Sequence, residues 1–439
     1  MRRHRDGAPS EGSSGSRVTL QAGKLIGGGR ALAHHENETW MVSGALPGEE
    51  VEAQITGRRA GIVEGRTIEV RSGCHPARMD DPCPHSGICG GCDWPHVDPI
   101  DGGPLKAAAA SEAAQGFPEL AALIAGAPIH TSTAGYRLRA RLHWDPRRQR
   151  LGFFEAQSRN VAAIDGCRIL SPQLMKALPA LGSSLATRCP IAVDVEWLEG
   201  SDPSRAVAAL RRSKGGPRKF NPSWVPVQQE VGAVTAGFHA LSSDGRPGHG
   251  WGSDEVRFEL PIPLAVPIGS FFQGNRHLLE MLFARVAELA GDDRDPVFDL
   301  HAGVGFLAAA VRSVGERELH LVEPHRAAAR AAEKNLPEAR VAVGKTAETF
   351  VGGAEALPPQ ALVITDPPRT GMSRALLEGL TRWEPRRILM LGCDPATWAR
   401  DAGFLSDHGY RPTKIELFDL FPHTHHVEIL ALMEHTRPR

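Results

Sequence analysis

The sequence predicts an α/β protein: a doubly wound, largely parallel sheet in its C-terminal part, preceded by a small N-terminal β-barrel and a mixed central domain. Three observations carry that expectation. From about Val266 onward, apolar strand-like runs alternate with helical stretches, the grammar of repeated βαβ units. Val297-Phe-Asp-Leu-His-Ala-Gly-Val-Gly305 is an apolar strand that ends in a glycine turn and opens a helix, and the next strand, Glu318-Leu-His-Leu-Val-Glu323, ends in an acid. Residues 17–73, by contrast, read as short alternating runs punctuated by glycine, as all-β barrels do.

A chain of 439 residues has room for two to three domains, and 41% hydrophobic with 23% charged residues is ordinary for a globular protein. No apolar run is long enough to span a bilayer, and the polar, arginine-bearing N-terminus has no apolar signal core. A cytoplasmic protein with no membrane partner is expected. With a net charge of -1, contact with nucleic acid has to come from local basic patches. Seven cysteines, odd in number and clustered, do not make a disulfide framework. In a reducing compartment they suggest a metal or cluster site.

Residues 1–16, rich in Gly, Ser and Arg, predict a disordered tail. Val18–Leu20, Thr39–Val42, Glu50–Ile55 and Arg66–Val70 alternate as strands, with turns at Gly27–Gly29 and Pro47–Gly48. Together they predict a barrel over 17–73 of the kind that binds RNA.

Residues 74–265 open on Cys83-Pro-His-Ser-Gly-Ile-Cys89-Gly-Gly-Cys92, a C-x5-C-x2-C loop. Three thiolates in one glycine-rich loop fit zinc or an iron–sulfur cluster, and either needs a fourth ligand. Cys167 is the favoured fourth ligand, with Cys74 as the alternative, and spacing alone does not separate zinc from iron. A helix is expected around Lys106–Ala114. Arg137, Arg139 and Arg141 alternate with apolar residues on one expected strand, and Arg211, Arg212, Lys214, Arg218 and Lys219 form a second basic run. Two such runs beside a barrel point to phosphate contact.

In the unit 266–439, Asp299 and the Gly303/Gly305 turn are expected to approach a nucleoside cofactor, with Glu323 accepting hydrogen bonds from ribose hydroxyls. The loop lacks the complete Gly-x-Gly-x-x-Gly of a pyrophosphate site, which favours S-adenosylmethionine. The strand Ala361–Asp366 runs into Asp366-Pro-Pro-Arg369, whose prolines stiffen the loop behind the acid. Ile388-Leu-Met-Leu-Gly392 stops at Cys393, a thiol placed where doubly wound sheets bind their ligands and suited to act as a nucleophile. The histidines of Phe421-Pro-His-Thr-His-His-Val-Glu428 fit no zinc spacing, whereas Glu428 facing Cys393 would make a nucleophile–base pair.

Phe418-Asp-Leu-Phe-Pro-His-Thr-His-His-Val-Glu428, Asp366-Pro-Pro-Arg369, Phe271-Phe-Gln273 and the C-x5-C-x2-C loop together resemble the bacterial RNA uracil-5-methyltransferases, from about Arg17 almost to the end. The 23S ribosomal RNA branch, with its TRAM barrel and [4Fe-4S] cluster, is the nearer resemblance. It implies Cys83, Cys89, Cys92 and Cys167 as cluster ligands. It implies contacts to S-adenosylmethionine from Gln273, Asp299, Gly303, Gly305, Glu323 and Asp366, with Cys393 as nucleophile and Glu428 as base. A monomer acting on RNA, 23S ribosomal RNA first, is expected. The alternatives are a transfer-RNA uracil-5-methyltransferase and a non-catalytic RNA-binding protein on the same scaffold.

Three stretches depart from the family pattern. Gly392-Cys393-Asp394-Pro395 replaces Ser-Cys-Asn-Pro, and Asp394 is expected to add negative charge beside the thiol unless it is paired. His301-Ala302 replaces Tyr-Cys after Asp299-Leu300, and Gly344-Lys345 stands where an acid usually meets the adenine.

Overall fold

The computed structural model describes residues 15–81, 83–213, 221–353, 358 and 360–436. Nearly all of the expected tail 1–16, and Lys214, Arg218 and Lys219 of the second basic run, lie outside the described residues. No helix among the described residues is long and apolar enough to cross a membrane.

The N-terminal unit contains β1 (Arg17–Gln21), β2 (Leu25–Ile26), β3 (Arg30–His35), β4 (Glu38–Ser43), β5 (Glu50–Arg59) and β6 (Ile62–Ser72). They pair in the order β1-β5-β6-β4-β3-β2. The two outer strands are consecutive in the chain, and Gly23 N donates to Leu32 O (2.8 Å) where one passes into the other. The sheet therefore closes on itself, which removes the free edges an open sheet would expose. Alternation does the rest: Val51, Ala53 and Ile55 of β5 point inward, around a buried Trp40.

Next come α1 (Gly103–Ala113), α2 (Pro118–Ala125) and the short β7 (Ile129–His130). The central unit follows with β8 (Arg139–Asp145), β9 (Arg150–Phe154), β10 (Val161–Ala163), α3 (Pro172–Arg188), β11 (Val193–Leu198), β12 (Val207–Arg212), α4 (Gln228–Val231), β13 (Gly237–Leu241) and β14 (Pro247–Gly252). Its seven strands pair as β10-β9-β8-β11-β12-β13-β14. One face buries Leu142, Trp144, Trp197 and Phe238 against Leu174, Leu181 and Leu185 of α3. Along β8, Ala140, Leu142 and Trp144 are buried while Arg139, Arg141 and His143 lie on the other face. Arg137 is not on that strand but stands before it, bridging to Leu170 and Asn275. Arg141 pairs with Glu196 (2.9 Å), as does Arg211, so part of the expected basic face is ion-paired within the protein.

A hairpin, β15 (Glu255–Phe258) and β16 (Leu264–Pro267), and α5 (Leu279–Ala290) lead into the C-terminal sheet. Its remaining elements are β17 (Val297–Asp299), α6 (Phe306–Arg312), β18 (Leu319–Glu323), α7 (Arg326–Asn335), β19 (Arg340–Val343), α8 (Ala347–Gly353), β20 (Leu362–Thr365), α9 (Arg374–Trp383), β21 (Arg387–Gly392), α10 (Pro395–Asp407), β22 (Tyr410–Phe418) and β23 (Glu428–His435). The order is β19-β18-β17-β20-β21-β23-β22-β7. The first five are parallel, and strand order reverses between β17 and β20, so a crevice opens at their carboxyl ends.

Helices α1 and α2 and strand β7, which the sequence places in the unit 74–265, join this C-terminal sheet instead. Ala110, Ala114, Leu120 and Ile124 share a core with Leu380, Trp398 and Ile429, and β7 runs parallel to β22. The short alanine side chains of α1 give a smooth apolar surface that packs against the helix layer of the larger sheet, while Leu105 near its start packs into the core of the N-terminal barrel.

Candidate active site

Three strands deliver the central groups. Asp366 immediately follows β20, Cys393 immediately follows β21, and Glu428 begins β23. The β21–β23 ladder is antiparallel and its last pair is Gly392 with Ile429. One step further along the two chains lie Cys393 and Glu428, so thiol and carboxylate occupy the same edge of the sheet.

The neighbours of Cys393 explain both residues that depart from the family pattern beside the thiol. A Cβ at Gly392 would sit 2.8 Å from the Trp398 ring, so glycine is what lets this tryptophan pack under the strand end. Asp394 is the N-cap of α10, and its Oδ1 accepts from Thr397 N (2.9 Å). Its charge is thus directed to the helix terminus. Burial pushes the Cys393 thiol up to about 11, followed by the charges of Glu428 and Asp366, not Asp394. Burial likewise lifts Glu428 to about 8 and Asp366 to about 7. The counter-charge to both Cys393 and Glu428 is Arg369, which lies in the motif the sequence singled out but carried no assigned role. Its Nη2 donates to His426 Nε2 (2.8 Å), and its own carbonyl accepts from Thr397 Oγ1 (3.0 Å). Burial presses His426 down to about 3, which keeps the ring neutral and able to accept that bond.

The adjoining crevice has the features of a nucleoside site. Gly303 and Gly305 have φ of 54° and 91°, left-handed values that favour glycine, and the space above Gly303 is open. Glu323 Oε2 accepts from Gly303 N (2.8 Å) and Oε1 from His325 N (2.6 Å), which fixes the carboxylate at the end of its strand. Asp299 is fully buried; Oδ1 accepts from His301 N (3.2 Å), while Oδ2 has no partner. Burial first, then the charges of Asp366 and Glu323, raise Asp299 to about 7. Gln273 Nε2 lies 3.5 Å from Asp366 Oδ2, at the boundary between this crevice and the Cys393 edge. His301 is pressed down to about 4 by burial.

The segment 419–427 that leads into Glu428 is held from several directions. Asn275 Nδ2 donates to Leu420 O (3.0 Å) and Tyr136 Oη to Pro422 O (3.3 Å). Trp94 N donates to His423 O (2.9 Å), and its indole Nε1 donates to Gly29 O of the barrel (2.7 Å). His425 pairs with Asp93, and Lys106 reaches the segment from α1. Lys106, Asp93 and Trp94 carried no sequence signal of their own. A lysine in an alanine-rich helix reads as solvent-facing until the fold buries it.

Cys83, Cys89, Cys92 and Cys167 are brought near enough together that their charges act on one another. Burial pushes the Cys92 thiol up to about 12, ahead of the charge of Cys167. Gly91 N donates to Cys89 Sγ (3.3 Å), and the amides of Ile169 and Leu170 point at Cys167. Cys74 is exposed, with its thiol directed at His75 O (4.0 Å). Among the described residues, no three His, Cys, Asp or Glu side chains are already closed around a metal-sized position.

A family model for tRNA (Uracil-5-)-methyltransferase matches residues 360–436, the segment that holds Asp366, Cys393 and Glu428. Over almost its full length the chain is similar to the 23S rRNA (uracil(1939)-C(5))-methyltransferase RlmD of Pseudomonas entomophila, with 32% identity across 96% of this chain and 94% of the relative. The chain belongs to the RNA uracil-5-methyltransferase family. The RlmD of Alkalilimnicola ehrlichii is also 32% identical, over 92% of this chain and 94% of the relative. Among solved structures, the tRNA (uracil-54, C5)-methyltransferase of Pyrococcus abyssi, in complex with S-adenosyl-L-homocysteine, superposes with a TM-score of 0.69 at 19% identity, covering 95% of this chain and 99% of that one. That likeness shows the shared methyltransferase fold. As a member of the RNA uracil-5-methyltransferase family, the protein is an RNA-methylating enzyme.

Proposed function

We propose that this enzyme forms 5-methyluridine in 23S ribosomal RNA, with S-adenosylmethionine as methyl donor. The observation that carries the reading is the placement of Cys393 and Glu428 at one sheet edge beside a crevice for a nucleoside. Carbon 5 of uracil is a weak nucleophile. The Cys393 thiolate adds to carbon 6, which places the electron pair in an enolate whose carbon 5 then takes the methyl group. Glu428 removes the carbon 5 proton, and the returning electron pair expels the thiolate. Arg369 supplies positive charge beside both groups, which favours the thiolate over the thiol. A base inside a duplex cannot reach this edge, so the target is an unstacked or flipped nucleotide.

The crevice fits S-adenosylmethionine. Its carboxylates leave acceptors free for ribose and amino groups, including the unpartnered Asp299 Oδ2, and it carries no glycine cradle for phosphates. Gln273, Asp299, Gly303, Gly305, Glu323 and Asp366 would hold it. Bound there, it supplies an electrophilic methyl group.

The four clustered cysteines fit an iron–sulfur cluster. They are partly buried, backbone amides face Cys89 and Cys167, and Arg137 lowers the cost of negative charge on Cys89, Cys92 and Cys167.

Mass-spectrometric mapping of 5-methyluridine in ribosomal and transfer RNA from a deletion strain tests the substrate. Loss from 23S ribosomal RNA, restored by the wild-type gene but not by Cys393→Ala, is expected. Loss from transfer RNA alone would replace this reading with the transfer-RNA one.

A further inference from the structure

Glu428 can face the uracil site only if the chain leaving β22 re-enters the sheet at the right residue. Between those strands, residues 419–427 cross the edge of the sheet without regular structure. The last pair of the β22–β23 ladder, Phe418 with Glu428, sets the backbone at the two ends, and the path of the segment between them depends on contacts from elsewhere in the fold.

Lys106 provides such contacts. It projects from α1, far away in sequence, and its side chain is buried at 2% exposure. Nζ pairs with the Asp419 carboxylate at the start of the segment, and donates to Phe421 O (3.1 Å) and to His426 O (3.0 Å) near its end. An ammonium has three N–H groups, and these three acceptors match them. Asp419 is itself 1% exposed, and its carboxylate also accepts from Phe421 N (3.2 Å). A buried ion pair adds little net stability, because desolvation offsets most of the attraction and an apolar pair packs as well. What an apolar pair cannot do is gather two separated carbonyls and a carboxylate at one point.

We propose that Lys106 is a positioning residue for Glu428: by gathering Asp419, Phe421 and His426 on one ammonium, it holds the segment leading into Glu428 and so the set of that side chain relative to Cys393. This rests on the reading of Glu428 as base. Lys106 touches no reacting atom. Its effect falls on proton removal from carbon 5, the step that needs Glu428, and not on cofactor binding or on addition of the thiolate.

The full-length enzyme with Lys106→Met, and a second variant with Lys106→Met and Asp419→Asn, provide the test. The double variant removes both charges, so no unpaired carboxylate is left buried. Turnover, KM for S-adenosylmethionine, and the fraction of enzyme covalently attached to a uracil-containing 23S fragment on a denaturing gel are measured. The expected result is a fall in kcat of about 10- to 100-fold with KM unchanged to within about twofold, the loss typical of a reacting group displaced by about 1 Å. The covalent adduct should accumulate, because its formation continues while its breakdown slows. Wild-type turnover in the folded double variant would overturn the proposal. So would a parallel loss of turnover and adduct with a raised KM, which marks general disruption. If Glu428→Gln itself keeps full turnover, the reading of Glu428 as base fails, whereas an inactive Glu428→Gln beside fully active Lys106 variants overturns only the role of Lys106.

Discussion

Cys393 and Glu428 face each other across the antiparallel pair of β21 and β23, one step beyond the last ladder pair, Gly392 with Ile429. The direction of β23 is what makes this possible. The carboxyl end of one strand and the amino end of the next lie at the same sheet edge only when the two run in opposite directions. A parallel strand in that position would have carried Glu428 to the far side of the sheet.

This arrangement predicts different failures for the two residues. Cys393→Ala should abolish methyl transfer and leave no RNA adduct. Glu428→Gln should form the adduct and fail to release it, visible as a slower band on a denaturing gel. Full activity in Cys393→Ala would sink the mechanism.

The raised values of the thiol, about 11, and of Glu428, about 8, give a pH dependence with a definite sign. The thiol adds as its anion, so adduct formation should quicken from neutral to alkaline pH, and release of the adduct, which needs the Glu428 carboxylate, should quicken as well. Arg369→Ala removes the positive charge that favours both anions, and the rising limb should move to higher pH, with Arg369→Lys intermediate. Stopped-flow adduct formation across pH measures it. An unmoved limb in Arg369→Ala would mean that this guanidinium does not tune the thiol.

Asp299 predicts a conflict between stability and binding. Its folded value of about 7 lies above the ordinary 3.8, so the folded chain holds this proton more tightly than the unfolded chain does. Stability therefore falls as pH rises through that interval. Asp299→Asn should raise the Tm of the cofactor-free protein by a few degrees at about pH 8 and leave it unchanged near about pH 4. Calorimetric titration with S-adenosylmethionine should show weaker binding by the same variant. A lower Tm at the alkaline value would contradict the sign.

The cysteine loop predicts iron. Protein purified without oxygen should be brown and contain iron and sulfide, and Cys92→Ser or Cys167→Ser should lose both. The residues after Cys92 also hold the segment before Glu428: Asp93 pairs with His425 and Trp94 N donates to His423 O (2.9 Å). Chelating the iron should therefore speed amide hydrogen exchange across residues 419–428. Unchanged exchange there would separate the cluster loop from the active site.

Much of this enzyme was legible in the linear sequence because its signals are local. A strand that stops at Cys393, a glycine turn after Asp299, an acid at the end of the next strand and three cysteines in one loop are each written within about ten residues of chain. Four of the six barrel strands were legible in the same way, since period-2 alternation survives wherever one face is buried, whereas β2 (Leu25–Ile26), two residues long, and β3 (Arg30–His35) were not.

What the tertiary structure decided was every relationship between residues far apart in sequence. It moved α1 and α2 from the central unit to the C-terminal sheet, turned Asp394 from a neighbour of the thiol into a helix cap, and paired Arg141 and Arg211 with Glu196. It also buried Lys106 against a segment more than 300 residues away. The physical reason is the same in each case. A residue's type and its near neighbours determine which strand, turn or loop it can form, but burial and charge pairing depend on what the folded chain brings to its other side.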